Sequence, residues 1–175
     1  MICCFGSSLA FAQSTVEEPK GFQLDFSNDP CGNPLMESQL WTLIKGKVLK
    51  IADGQTLWVQ LIEPRKIVRV HISGIEVLRG AKTSPTAKEF LDREFLGKTV
   101  NILINPDWDY SKRKPKDVTG VVTREPHYLD GAEALLAEGL ARFAEPLPYT
   151  LSGHTRCHYR LTEADAKAKK VGIWQ

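Results

Sequence analysis

The chain has 175 residues, of which 42% are hydrophobic and 25% charged, with a formal net charge of +2. This is ordinary for a soluble globular protein, long enough to bury a real core, and fits one domain with extensions rather than two. No apolar run reaches the roughly 18 residues needed to span a bilayer, which excludes a helical membrane span.

The chain opens on an uncharged stretch, Met1 to Ala12, ending Ala10-Phe11-Ala12-Gln13. An apolar core before an Ala-x-Ala-like site is the pattern of a secretory signal peptide, although a positive n-region is missing. Cleavage there would remove Cys3 and Cys4 and leave Cys31 and Cys157. An even pair in an exported chain predicts a disulfide and a periplasmic or secreted protein. Residues 13–40 are polar, with the turn cluster Asn28-Asp29-Pro30-Cys31-Gly32-Asn33-Pro34, and read as an extension pinned to the domain surface. Within it, residues 13–38 carry five acids against Lys20 alone. The uncharged signal contributes nothing, so of the total of +2 residues 39–175 carry +6. A mildly basic domain is compatible with a polyanionic partner, and the acidic arm offers a docking tail for a protein.

The domain proper is expected over residues 41–175. Trp41 to Ala52 is rich in β-branched residues and reads as a strand, closed by a hairpin turn at Asp53-Gly54 where glycine would supply a positive φ. Thr56 to Ile62 returns, Glu63-Pro64-Arg65 turns, and Lys66 to Ile75 alternates as a third strand. Ser84 as N-cap and Pro85 at the first position open a helix with Phe90, Leu91, Phe95 and Leu96 on its apolar side, stopped by Gly97. Strands follow at Thr99 to Ile104 and Val118 to Thr123, separated by a basic loop over residues 107–116. Asp130-Gly131 caps a helix to Glu138, ended by Gly139; Leu140 to Phe143 is extended; a last helix runs from Arg156 to Lys170, and Gly172-Ile173-Trp174 packs back. Five short strands with a helix between the third and fourth give the order of an α+β OB-fold barrel, here with three helices.

Three motifs carry a resemblance. Asp53-Gly54-Gln55-Thr56 and, some twenty residues on, His71-Ile72-Ser73-Gly74-Ile75-Glu76-Val77-Leu78-Arg79 stand where the thermonuclease (staphylococcal nuclease-like) family has Asp-Gly-Asp-Thr and Arg-Leu-x-Gly-Ile-Asp-x-Pro-Glu. Leu136-Ala137-Glu138-Gly139-Leu140-Ala141-Arg142-Phe143 is similar to the family's Leu-Val-Arg-x-Gly-Leu-Ala-x-Val. The ending Ala164 to Trp174 resembles its Glu-Ala-x-Ala…Gly-Ile-Trp. The resemblance implies Ca²⁺-dependent phosphodiesterase chemistry on DNA and RNA, with acidic metal ligands, a glutamate base and two arginines on the phosphate. In this chain the matching positions are altered. One ligand acid is Gln55 and the other Glu76, the base is Arg79, and the arginines fall on His71 and Thr119. A guanidinium cannot accept a proton at any working pH, and an amide brings no charge to a Ca²⁺ site. The flanking tyrosines fall on Glu145 and Leu147, with Tyr149 out of step.

These changes predict no confident catalytic residue and no resident metal, with Gln55 and Glu76 as residual candidates for Ca²⁺. Arg69, His71 and Arg79 stand as an anion pocket or as ordinary rim charge. Lys112, Arg113, Lys114 and Lys116 stand as a phosphate-steering loop or a solvated turn. Trp58 and Trp108 offer base stacking, although a strand tryptophan such as Trp58 is more often core. His127, His154 and His158 are scattered, and the disulfide takes the sulfur of Cys157 that a metal would need. The expected protein is therefore an exported, thermonuclease-like binding or structural module for nucleic acid, another polyanion or a protein. The alternative is a Ca²⁺-dependent nuclease with a rearranged site built on Glu76, Gln55 and Arg69.

Overall fold

The structure is a computed structural model and describes residues 27–33, 41–78, 86–104, 117–145 and 151–175. Eight strands are present among them: β1 (Thr42–Asp53), β2 (Thr56–Leu61), β3 (Ile67–Ile72), β4 (Ile75–Glu76), β5 (Thr99–Ile104), β6 (Asp117–Arg124), β7 (Leu129–Asp130) and β8 (Arg142–Phe143). The helices are α1 (Ala87–Phe95), α2 (Gly131–Ala137) and α3 (Gly153–Ala168), followed by a 3₁₀ turn at Gly172–Trp174.

β1 is long enough to pair with two neighbours, β5 through its first half and β2 through its second. Register shifts after Val48 and Ile51 bend it between them, as bulges do at barrel corners. The order β3-β2-β1-β5-β6 is closed by a parallel pairing of β3 with β6, which makes a five-stranded mixed barrel with no free edge between those two strands. Alternation fills it: Leu57, Val59 and Leu61 of β2, Val68, Val70 and Ile72 of β3, and Val100, Ile102 and Ile104 of β5 are all buried. Phe90, Leu91 and Phe95 of α1 and Leu135 and Leu136 of α2 join the same core. The expected α+β barrel with three helices is what the chain forms.

Local expectations were met unevenly. α1 is capped by Thr86, not Ser84: the Thr86 hydroxyl accepts from Glu89 N while the Glu89 carboxylate accepts from Thr86 N at 2.7 Å, a capping box that outcompetes the Ser-Pro signal. Leu96 is exposed rather than part of the apolar face. The third strand breaks at Ser73-Gly74, and Gly74 takes a positive φ of 80°. The two residues beyond it, Ile75 and Glu76, pair instead with Phe143 and Arg142. Gly54 does not adopt a positive φ. Its reason is space, since a Cβ there would lie 2.9 Å from Ala87 Cβ and Val77 Cγ1. Trp58 is not core, because the alternation that buries Leu57 and Val59 turns it outward, opposite Arg69. α3 starts three residues early, at Gly153, with Ser152 as its N-cap.

The N-terminus of α2 holds a part-buried carboxyl. Asp130 Oδ1 accepts from Ala132 N (2.8 Å) and Glu133 N (3.1 Å), and the Tyr159 hydroxyl donates to the same carboxyl from 2.8 Å. Burial pushes its pKa up from 3.8 to about 6, against the pull of those hydrogen bonds. The folded state thus holds a proton that the unfolded chain has lost between about pH 4 and 6. The contribution is fully present below the unfolded pKa and is lost as pH rises through the folded one, by about 3 kcal/mol at 1.36 kcal/mol per unit. Asp130→Asn keeps an N-cap acceptor and removes the ionisation. The stability of the variant relative to wild type is expected to rise by about 2–3 kcal/mol between pH 4 and pH 7 in urea unfolding. A constant difference across that range would show that Asp130 titrates normally.

Candidate functional site

The hairpin between β1 and β2 and the break after β3 converge on one pocket of about 600 Å³, lined by Asp53, Gly54, Gln55, His71, Glu76, Val77 and Leu78. Two segments some twenty residues apart meet there because β2 and β3 are antiparallel neighbours in which Thr56 faces His71. Gln55 stitches them together. Its backbone N–H bonds Asp53 Oδ1 (2.9 Å), its carbonyl accepts from Ile72 N (2.9 Å), and its side-chain oxygen accepts from Val77 N (3.1 Å). The His71 ring meets the buried Thr56 hydroxyl through Nδ1 at 3.1 Å. Thr119 sits beside His71 across the parallel β3–β6 pairing.

Glu76 stands opposite Arg142 in the β4–β8 pairing, and Arg142 grips its Oε2 with Nε (3.0 Å) and with a terminal nitrogen (2.7 Å). Both side chains are about half exposed, so the pair adds no more than about 1 kcal/mol to stability. Its electrostatic consequence is larger than its stability. A guanidinium this close repels a divalent cation by about 2 kcal/mol even at water-like screening, and by more in a drier pocket.

The sequence candidates separate accordingly. Gln55, His71 and Glu76 come together in the pocket. Arg69 does not line it and is paired with Asp117 on β6, its register partner. Arg79, the lysine-rich loop with Lys112, Arg113, Lys114 and Lys116, Trp108, Leu147 and Tyr149 lie outside the described residues. Glu145, where the family places an aromatic, is bound by Arg160 (2.8 Å) and Arg156 of α3. Asp53, read from the sequence only as a turn residue, also lines the pocket, and Arg142 reaches the pocket through Glu76 although it does not line it. Arg142 was hidden because its partner lies 66 residues away.

The donor set can be set against what Ca²⁺ asks for, which is six to eight oxygens rich in carboxylate. The oxygen of Gln55 is already used by a backbone N–H, and Glu76 is held by a guanidinium. Among the described residues, Asp53, His71 and Glu76 do not converge as a three-ligand cluster. The pocket groups do not fit a Ca²⁺ centre as they are arranged.

A family model described as staphylococcal nuclease homologue matches residues 69–175, from β3 to the C-terminus. The chain belongs to that family. The match covers more than half of its length and includes both C-terminal motifs. No curated protein gives a significant match to the chain. In this chain the hairpin tip and the segment after β3 line one pocket. No helix among the described residues is long and apolar enough to cross a membrane.

A second cluster of side chains lies at the N-terminal half of α3. Cys31 and Cys157 form a disulfide, as the cysteine pairing predicted, with Cα atoms 5.6 Å apart. It ties the 27–33 segment to α3 and brings Asp29 against two histidines of that helix. The Cys31 N–H, followed by the His154 and His158 rings, hydrogen-bonds the Asp29 carboxylate and holds its pKa down at about 2. His127 is exposed on the turn after β6 and has no part in this cluster.

Proposed function

We propose that this chain is an exported, non-catalytic staphylococcal nuclease homologue that binds nucleic acid or another polyanion. The observation that carries the reading is the Glu76–Arg142 pair, because it places a fixed cation on the one ligand acid that the site retains. Replacement of the base position by Arg79 and of the other ligand by Gln55 supports it from the sequence. The binding half rests on the barrel architecture and on the basic surplus of residues 39–175. Export is supported by the Cys31–Cys157 disulfide, a bond of oxidising compartments, together with the N-terminal pattern. The acidic surplus of residues 13–38 supports a second role as a docking arm for a protein partner. A pull-down with and without that arm separates this role from nucleic-acid binding.

Purified protein with Ca²⁺ and single-stranded DNA is expected to release no cleavage product, while fluorescence anisotropy shows binding that weakens steeply with added salt. Ca²⁺-dependent cleavage that disappears in Glu76→Ala would establish the nuclease alternative. Absence of DNA and RNA binding even at low salt would remove the polyanion reading.

A further inference from the structure

We propose that Asp29, His154 and His158 form a binding site for a divalent transition-metal ion of the zinc class. His154 and His158 are one helical turn apart on α3, so both rings project from the same face, with centroids 4.5 Å apart. Their Nε2 atoms converge on one carboxylate: His154 lies 3.0 Å from Asp29 Oδ2, and His158 lies 3.2 Å from it. Two ligand atoms held about 2.05 Å from a tetrahedral zinc are about 3.3 Å apart. Each histidine nitrogen therefore already stands from the carboxylate oxygen at nearly the separation a shared ion imposes.

The site is also held in place. Cys31 is two residues from Asp29, Cys157 is adjacent to His158, and the disulfide between them fixes the carboxylate over the helix. It leaves neither sulfur as a ligand, so the donor set is two imidazole nitrogens and one carboxylate oxygen. That set suits zinc-like ions and disfavours Ca²⁺ and Mg²⁺, which take oxygen. Three protein ligands leave a coordination position for water or an external group. The side chains of Asp29 and His154 are each 18% exposed and that of His158 33%, which gives an ion a way in. In the metal-free protein the Nε2–H groups donate to the Asp29 carboxylate, so on binding each ring gives up that Nε2 proton, to solvent or by shifting to the Nδ1 tautomer, and the freed Nε2 lone pairs turn to the ion.

The test uses tag-free, full-length, disulfide-intact protein stripped with chelator and titrated calorimetrically with zinc chloride. One ion per chain is expected. Asp29→Asn, His154→Ala and His158→Ala are each expected to weaken binding by at least about 100-fold, whereas His127→Ala leaves it unchanged. Each variant is checked by circular dichroism. Should one fail to fold, the Co²⁺-loaded wild type still decides, since nitrogen ligation of low coordination number gives intense visible absorption and hexa-aqua Co²⁺ does not. No stoichiometric zinc and no such absorption in the wild type, or undiminished zinc binding in the folded variants, would leave the cluster as a hydrogen-bonded clamp and overturn the proposal.

Discussion

Replacing Cys31 and Cys157 together by serine is expected to lower the unfolding free energy by about 4–5 kcal/mol, the loop-closure entropy of a cross-link spanning 126 residues. The bond restricts nearly the whole domain in the unfolded state. In the folded state, among the described residues, it adds the contacts of the short 27–33 segment with α3. The loss should therefore come from the unfolded chain, and the denaturant slope should rise as that chain expands. Urea unfolding of wild type and double variant measures both quantities. A change below about 1 kcal/mol would mean that the N-terminal segment does not close this loop in solution.

The cysteines also mark how far the sequence could be read. Their pairing followed from counting, because two cysteines in an exported chain have one partner each. The cluster they create did not follow. Asp29 comes to His154 and His158 across 125 and 129 residues, and no local pattern announces a carboxylate for a helix-borne histidine pair. The barrel strands were legible for the opposite reason. Val68, Val70 and Ile72 are buried in alternation with more exposed neighbours, and the burial period of a strand is written in its own residues. Where two local signals competed, composition was not enough: Ser84-Pro85 and Thr86…Glu89 are both good helix starts, and reciprocal hydrogen bonding decided for the second. The pocket was half legible. The hairpin and the segment after the third strand could be matched to two site motifs of the family, but the partner of Glu76 depends on β8 pairing with β4 across 66 residues.

Gly139→Ala and Gly172→Ala are each expected to destabilise the domain by about 3 kcal/mol or more. The two C-terminal motifs that pointed to the family are one contact seen twice. Gly139 ends α2 with a φ of 58°, letting Leu140 N reach back to Leu135 O (2.8 Å), the hydrogen-bonding of a Schellman cap. Gly172 has the same φ, and its backbone lies directly on that of Gly139, with Ile173 N donating to Gly139 O at 2.9 Å. A Cβ on Gly139 would stand 2.2 Å from Val171 O, and one on Gly172 would stand 2.1 Å from Gly139 O. Both obstacles are backbone, so no rotamer change relieves them. Either the 3₁₀ turn lifts off or the cap of α2 opens. Gly97→Ala separates the two parts of this cost. Gly97 also has a positive φ, of 74°, but nothing lies within 4 Å of a Cβ there. That variant should lose only about 1–2 kcal/mol for the left-handed conformation. Thermal and urea unfolding of the three variants measures the difference. Equal losses at all three positions would show that conformation alone, and not the backbone-on-backbone contact, keeps glycine in the two motifs.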